Sequence, residues 1–590
     1  MANNSEVKEL KQNNTFISNT YKKALWPCML TILSANINVI VDGILIGQKL
    51  GSNALAAINL CLPISLFLCV VGSFFSAGTS INSSKNIGKN QFVKANEYYK
   101  ADIVLSFISS IIITILGCIF INQICSFLCS DVNVFAYVKE YALITILGSV
   151  FKIIVYAPLW YLRLDGKNKE ITKMMAVLTV GNIILDLLFV FVLNLGVFGA
   201  GLANVLATMA SLIVGVYYIR QNDSSFRFSF KIDIKSISIK RIALDGLPSS
   251  VNNLCSTIRF LIINSLFMSI GGAALVAVFT AVNGLFSVGE CIILGIPQAS
   301  TAMFGVYAGE KDYDSCKLII KFEVIIGAIL SASFVVLSIL LAPLLGRIYG
   351  LNDNLFMPVF FMAISIFPSL ICSVLSSYYN VSGKNIISII VIISRLVVMT
   401  YLGIVCALVL NLNVFTFFIF AEVSTLVFIY IITFVYSKII HKNVDQLLLI
   451  KHREILNGTV INFSVKNSNE EICKTCELLK DFCENNGLSI NKSMKLQLAI
   501  EEALVLISKV NNDEHMVFDG FDIRAFFYED LAGLRIRYDG LDFNPFSGQM
   551  NTSDYLGIKM IVDMLDDSTY CRTFGVNTLI LLLKEKLGEE

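Results

Sequence analysis

Apolar runs close to 20 residues long recur along the first three quarters of this chain, from residue 21 to residue 436. A run of that length is what a helix needs to cross the ~30 Å hydrocarbon core of a bilayer. Twelve are expected, at about 25–46, 57–82, 101–121, 141–162, 173–194, 197–219, 246–269, 275–302, 319–341, 357–378, 386–409 and 414–436. Lipid offers no partner to unpaired backbone groups, so such a series implies an all-α polytopic membrane protein. Composition agrees. Only 15% of the 590 residues are charged and 56% are hydrophobic, whereas soluble domains carry about 25% charged residues. The first run continues into Asp42 and Gln48 without a small-residue cleavage pattern, so it does not read as a leader peptide.

The formal net charge of +1 hides a division. Residues 451–590 carry 15 basic and 23 acidic side chains, and the remainder carries 30 and 21. The acidic part has the size of one soluble domain. In the membrane part, Lys and Arg fall in alternate loops. Lys85, Lys89, Lys94 and Lys100 lie in one, and Arg163, Lys167, Lys169 and Lys173 in another. Residues 220–241, then Lys311, Lys317 and Lys321, then Lys384 continue the series. The opposite loops hold little beyond Lys49, Lys139 and Arg347. The positive-inside rule then places both termini in the cytoplasm of a multi-pass plasma-membrane protein. The expected segments are a cytoplasmic arm (1–20), a six-helix bundle (21–222), a connecting loop (223–243), a second bundle (244–437), a basic linker (438–456) and a cytoplasmic domain (457–590).

The two bundles look alike. "LRLDGKNKEI" precedes the fifth span and "YNVSGKNIIS" the eleventh. "NIGKNQFVKA" follows the second span and "YAGEKDYDSC" the eighth. The repeat is about 230 residues. Internal repeats of this kind mark secondary transporters, with substrate bound between the halves. Pro27, Asp42-Gly43, Leu50-Gly51, residues 54–57 (ALAA), Gly88-Lys89, Arg163, Gly166-Lys167 and the segment 181–203 stand in the order found in MATE (multidrug and toxic compound extrusion) transporters. Over about 20–440 the chain resembles that family. The resemblance implies two six-helix lobes around a V-shaped cavity and cation-coupled export of small, often cationic compounds.

A charge at mid-bilayer is costly, so each one is a candidate site. Seven stand well inside the runs, away from their ends: Asp42, Lys152, Asp186, Arg259, Glu290, Arg395 and Glu422. Asn38 and Asp42 are four apart, as are Asn182 and Asp186, so each pair shares a helix face. Carboxylates with amide neighbours can carry a proton or coordinate Na⁺ through oxygen. They can also simply fix helix packing. In the DinF-like branch of MATE transporters, residues matching Asp42, Asp186 and Asn182 form the N-lobe coupling site. Another branch, NorM-like, places its coupling acids in the seventh and tenth spans. Here the seventh carries Arg259 and the tenth no acid. Glu290 and Glu422 could neutralise Arg259 and Arg395 in a buried structural cluster. Alternatively, the arginines face the cavity and bind an anionic substrate, as in flippases of the same superfamily.

Residues 457–590 read as an α+β sandwich. Strands are expected near 459–466, 515–527, 533–539, 568–573 and 577–584, and helices at 469–485, 491–510 and 555–566. Three stretches resemble the GHKL ATP-binding fold in its anti-sigma-factor-like branch: 496–507, 536–546 and 555–584. The resemblance is degenerate. Glu502 matches the E-x-x-x-N glutamate, but the Mg²⁺-binding Asn is Leu506. The D-x-G turn reads Tyr538-Asp539-Gly540. Of G-x-G, Tyr555 replaces the first Gly and Gly557 remains. A Leu cannot ligate Mg²⁺, and a bulky residue obstructs backbone approach to phosphate. ATP hydrolysis or kinase activity is therefore not expected, nor is ATP binding. The domain reads instead as a regulatory or protein-binding scaffold. Cys473, Cys476 and Cys483 share a helix face and read as reduced core residues, not metal ligands.

The resulting expectation is a transporter, not an enzyme, that exchanges H⁺ or Na⁺ for a drug-like compound. Its partners are the bilayer, a small-molecule substrate and a cytoplasmic protein, with no nucleic acid. A membrane-tethered sensor is the alternative from another class.

Overall fold

The computed structural model describes residues 15–50, 52–89, 91–128, 132–221, 224–229, 233, 237–310, 312–348, 355–440, 447–449, 459–486, 488–514, 520–528, 531–545, 567–573 and 576–584. Within helices and strands the side chains of 35, 37–48 and some others also fall outside the description. The chain divides into two compact units: residues 23–440, and 441–590 together with 1–22.

The first unit is built of helices. In chain order its helices are α1 (Thr15–Leu50), α2 (Ser52–Gly88), α3 (Phe92–Ile119), α4 (Ile121–Leu128), α5 (Val132–Leu147), α6 (Ser149–Ile154), α7 (Tyr156–Leu164), α8 (Asn168–Asp186) and α9 (Gly196–Ile219). The second half follows as α10 (Ile239–Gly309), α11 (Tyr313–Ile348), α12 (Phe356–Val381), α13 (Asn385–Ile393), α14 (Met399–Val409) and α15 (Phe417–Val435). Among the described residues, ten helical stretches are long and apolar enough to cross a membrane. An eleventh is the pair Phe135–Leu147 and Ser149–Leu164, bent by 54°. The first expected span is helical in α1, although most of its side chains lie outside the description. Helix α10 holds two spans, Ile239–Gly271 and Ala281–Gly309. It starts where Ser238 Oγ accepts the Arg241 amide, an N-cap that satisfies a free N–H. The last residues expected in the connecting loop are therefore helical.

The duplication is visible in the backbone. Gly166 and Gly383 both turn with positive φ, at 77° and 78°, and each precedes a helix entered through Lys167 or Lys384. They stand 217 positions apart (383 less 166). Gly88 and Gly309, also equivalent, stand 221 apart (309 less 88) and touch. A Cβ on Gly88 would lie 3.0 Å from the Gly309 Cα, and one on Gly309 3.1 Å from the Gly88 Cα. The repeat is thus shorter than the 230 residues expected, and its two copies meet at these glycines. Farther along α2, a Cβ on Gly246 would overlap the Phe74 carbonyl oxygen. Along this seam α2 of the first half lies backbone to backbone on α10 of the second, because small residues allow close helix approach.

The second unit contains β1 (Thr459–Lys466), α16 (Asn469–Asn485), α17 (Ile490–Asp513), β2 (Gly520–Tyr528), β3 (Leu531–Tyr538), β4 (Asp567–Thr573) and β5 (Val576–Lys584). The five strands form one antiparallel sheet in the order β1-β2-β3-β5-β4. Alternate residues such as Phe463, Ile523, Ile536 and Leu579 meet Leu479, Ile500 and Leu504 of the two helices in one core, as the period-2 pattern of a half-buried strand requires. Between them Asp522, Arg524, Arg535 and Arg537 occupy the opposite face and are also buried. Arg537 pairs there with Asp522 at 3.0 Å. Ser468 and Glu471 cap α16 reciprocally: Ser468 Oγ accepts the Glu471 amide and Glu471 Oε2 the Lys466 amide. Cys476 and Cys483 lie in the core, but Cys473 is exposed, so the three do not share one buried face. The expected helix at 555–566 lies outside the described residues.

Candidate functional site

In the first half the sequence pointed to Asp42, Asn38, Asp186 and Asn182. The side chains of Asp42 and Asn38 lie outside the described residues, on the helical backbone of α1. Asp186 and Asn182 are each 1% exposed, and Asn182 Nδ2 donates to Asp186 Oδ2 at 3.0 Å. Directly after Asp186 the helix widens into a π turn, Leu187–Val192. Such turns displace backbone groups from the regular ladder and recur at functional sites. Lys152 Nζ stands 3.4 Å from Ser65 Oγ.

In the second half three of the four charged residues, Arg259, Glu290 and Arg395, stand in the wall of a cavity of about 130 Å³ lined by α10, α15 and the turn that follows α13. Arg395 lies in another π turn, Ser394–Val398, whose Arg395 carbonyl accepts the Thr400 hydroxyl at 3.1 Å. Arg395 Nε and Glu422 Oε2 form an ion pair at 3.2 Å. Glu290 does not pair with Arg259 within ion-pair distance among the described residues. It accepts Asn36 Nδ2 at 3.4 Å instead, and the same amide donates to the Ser287 carbonyl at 2.7 Å. Asn36 comes from α1, so this contact links the two halves. Arg259 lies over the rings of Phe286 and Phe418, 5.3 and 5.8 Å from their centroids, a cation–π arrangement. The expected neutralisation of both arginines is thus found for Arg395 alone. Burial explains the difference: the Glu422 carboxylate is 1% exposed, and such a charge must be paired.

Asp245, Asp102 and Glu323 are among the buried acids missing from the seven expected charges. Asp245 binds the halves together: it accepts Lys85 Nζ at 2.9 Å and Asn82 Nδ2 at 3.0 Å from α2, and Asn385 Nδ2 at 2.7 Å from α13. Asp102 and Glu323 are fully buried in α3 and α11. All three sit near the lysine-rich ends of their spans and read as flanking residues.

In the second unit Glu502 is half-buried, and Leu506 lies in the core where no cation could reach it. Asp539 and Gly540 follow β3, and Gly540 takes φ 111°. Asn511 Oδ1 accepts the Leu541 amide at 3.0 Å. Asn577 Nδ2 donates to the Leu541 carbonyl at 2.7 Å. Both backbone polar groups of Leu541 in this turn are thus engaged by the domain's own amides. Gly557 lies outside the described residues. Burial pushes the Cys476 and Cys483 thiols up to about 12.

A duplicated bundle whose halves join through glycines and buried polar groups defines a two-lobed polytopic transporter fold. The MatE family model matches residues 27–188 and 248–409, together more than half of the chain. The chain belongs to the MATE family. It is 28% identical over 284 residues to the multidrug export protein MepA of Staphylococcus haemolyticus (strain JCSC1435), covering 47% of this chain and 62% of that one. It is 25% identical over 329 residues to the probable multidrug resistance protein YoeA of Bacillus subtilis (strain 168), covering 53% and 69%. It is also 25% identical over 276 residues to an FAD transporter of Shewanella oneidensis (strain ATCC 700550 / JCM 31522 / CIP 106686 / LMG 19005 / NCIMB 14063 / MR-1), covering 46% and 60%. The matches therefore span about three fifths to two thirds of these relatives. In fold, a MATE crystallised in complex with MaL6 superposes with a TM-score of 0.65 at 22% identity, covering 70% of this chain and 94% of that one. A MOP superfamily transporter from Pyrococcus furiosus, described as having a binding pocket of reverse polarity, does so at 0.64 and 22%, covering 70% and 93%.

Proposed function

We propose that this protein is a cation-coupled antiporter of the DinF-like branch that exports small organic compounds. The lysine-rich ends and both termini face the cytoplasm. H⁺ or Na⁺ binds in the first lobe at Asp42 and Asp186, assisted by Asn38 and Asn182. The observation that carries this reading is Asp186, 1% exposed, held by Asn182 and set at the edge of a π turn. A carboxylate so placed binds a proton or a hard cation at little reorganisation cost, and its occupancy can bias the lobe between two arrangements. The relatives named as multidrug exporters support drug-like substrates. Asp186→Asn in proteoliposomes should lower gradient-driven export at least tenfold while leaving substrate binding in detergent unchanged. Undiminished export would remove Asp186 from the mechanism.

A second reading rests on Arg259. Among the described residues no carboxylate lies within ion-pair distance of it, and two phenylalanine faces hold it at the cavity wall. A guanidinium so placed suits a carboxylate or phosphate on the substrate. The relative named as an FAD transporter supports that reading. If an anionic compound is carried, Arg259→Gln should raise its apparent KM strongly and leave cationic dyes unaffected.

The C-terminal unit is proposed to be a cytoplasmic regulatory or protein-binding domain with a degenerate GHKL-type nucleotide site. The sensor alternative requires cavity binding without flux.

A further inference from the structure

At equivalent positions, each half of the membrane unit buries a carboxylate that no described cation reaches. Asp102 is the eleventh residue of α3 and Glu323 the eleventh of α11. They stand 221 positions apart (323 less 102), the same offset as Gly88 and Gly309, so they are repeat equivalents. Both are 0% exposed. Asp102 Oδ1 accepts the hydroxyls of Ser76 at 3.1 Å and Ser106 at 3.2 Å, and its Oδ2 has no hydrogen-bond partner. Glu323 Oε1 lies 2.6 Å from Ser300 Oγ, and its Oε2 has no partner.

The titratable neighbours do not supply a counter-charge. Around Asp102 they are the phenols of Tyr99 on its own helix and Tyr161 from α7. The nearby Lys100 is engaged by Glu97 at 2.6 Å. Around Glu323 the Ser300 hydroxyl is the one interacting side chain among the described residues, and Lys317 and Lys321 of its helix are exposed. A buried ionised carboxylate without a cation is costly enough that the group neutralises instead. The donor count at Glu323 agrees. Ser300 has one hydroxyl proton, yet its Oγ also lies 2.9 Å from the Pro297 carbonyl oxygen. If the hydroxyl donates to that carbonyl, the 2.6 Å contact needs its proton from Glu323, as a carboxylic acid provides.

We propose that Asp102 and Glu323 are a pair of proton-binding sites, one in each lobe, occupied while the lysine-rich seam is closed. Their hydroxyl partners stand on the two helices that form the seam. Ser76 is two residues from Gly78, where a Cβ would overlap the Ile242 carbonyl, and Ser300 is one turn and a half before Gly305, which lies on Ser84. Opening the seam moves α2 against α10 and admits water, and the hydrated acids then ionise. Because the closed form binds the protons, lowering the pH favours it and raising the pH favours opening. This pair is separate from Asp186, and its occupancy can be read without transport.

The test is infrared difference spectroscopy of the purified full chain in nanodiscs between acidic and alkaline pH. The wild type should show protonated-carboxyl C=O stretches that bleach on alkalinisation. Asp102→Asn and Glu323→Gln, which copy the neutral acids in shape, should each remove one component at unchanged melting temperature. Ser76→Ala and Ser300→Ala should shift the same bands without removing them, which serves if an acid variant does not fold. In parallel, spin labels placed across the seam at Gln91 and Asp314, in a background without reactive cysteines, should separate at alkaline pH in wild type. They should stay close at every pH in the Asp102→Asn/Glu323→Gln double variant. Bands that persist in both single variants, or seam opening that keeps its pH dependence in the double variant, would overturn the proposal. Asp186→Asn should leave the two bands in place, so loss of coupling at Asp186 and failure of this pair are told apart.

Discussion

At the scale of single residues, the membrane unit is governed by how each buried charge is compensated. Arg395 and Glu422 answer one another at 3.2 Å, so truncating one strands the other in a dry interior. Arg395→Met should lower stability by about 3–5 kcal/mol, read as a fall in the melting temperature of the detergent-solubilised chain. Arg395→Met/Glu422→Leu should recover most of that loss. A double variant as unstable as the single would mean that Arg395 acts through other contacts. The glycine seam gives a steric counterpart. Gly309→Val must push Gly88 away, so export should fall while the protein still inserts and folds, and full export by this variant would refute the seam's role. Sequence alone exposed Asp186 because it interrupts an apolar run at its middle. Asp102 and Glu323 escaped notice because each stands near a helix start among lysines, where a charge normally reaches water. Only the packing of α2 over α3, and of the second span of α10 over α11, reveals that these two are enclosed.

At the scale of elements, legibility follows periodicity. The strands of the C-terminal unit alternate cleanly between core and opposite face, and the sequence placed them to within a few residues. The π turns at Leu187–Val192 and Ser394–Val398 carry no compositional mark, because one extra residue in a turn changes hydrogen bonding and not hydropathy. Helix α16 offers a direct check. Cys473 is exposed, whereas burial keeps the Cys476 and Cys483 thiols protonated at neutral pH, and the thiolate is the reactive form. Maleimide treatment of the native full chain, followed by peptide mass spectrometry, should modify Cys473 and spare the other two until denaturant is added. Equal modification would mean that this core is not closed. The turn after β3 is engaged by Asn511 and Asn577, so calorimetry of the full chain with ATP and Mg²⁺ should register no micromolar binding. A micromolar isotherm would reverse the reading of a degenerate site.

At the scale of the whole molecule, duplication is the organising fact. The two halves repeat at 217–221 positions and meet where equivalent glycines touch. The resemblance of the halves could be read from short motifs. Their mutual contact could not, because it depends on residues such as Asp245, Lys85 and Asn385 that lie in three different helices and far apart in the chain. What the repeats do not share is equally informative: the first half carries an amide-bound aspartate, the second an arginine–glutamate pair beside a second arginine. That asymmetry is what favours the first lobe as the coupling site in the function proposed above. The central claim is that an ion gradient drives export through this bundle. The purified chain should be reconstituted in proteoliposomes loaded with a fluorescent dye substrate, and efflux followed under an imposed H⁺ gradient, an imposed Na⁺ gradient, and neither. The account predicts efflux under one of the two gradients and none without, and its loss in Asp186→Asn. Dye that binds the protein but shows no gradient-dependent efflux in any condition would contradict it.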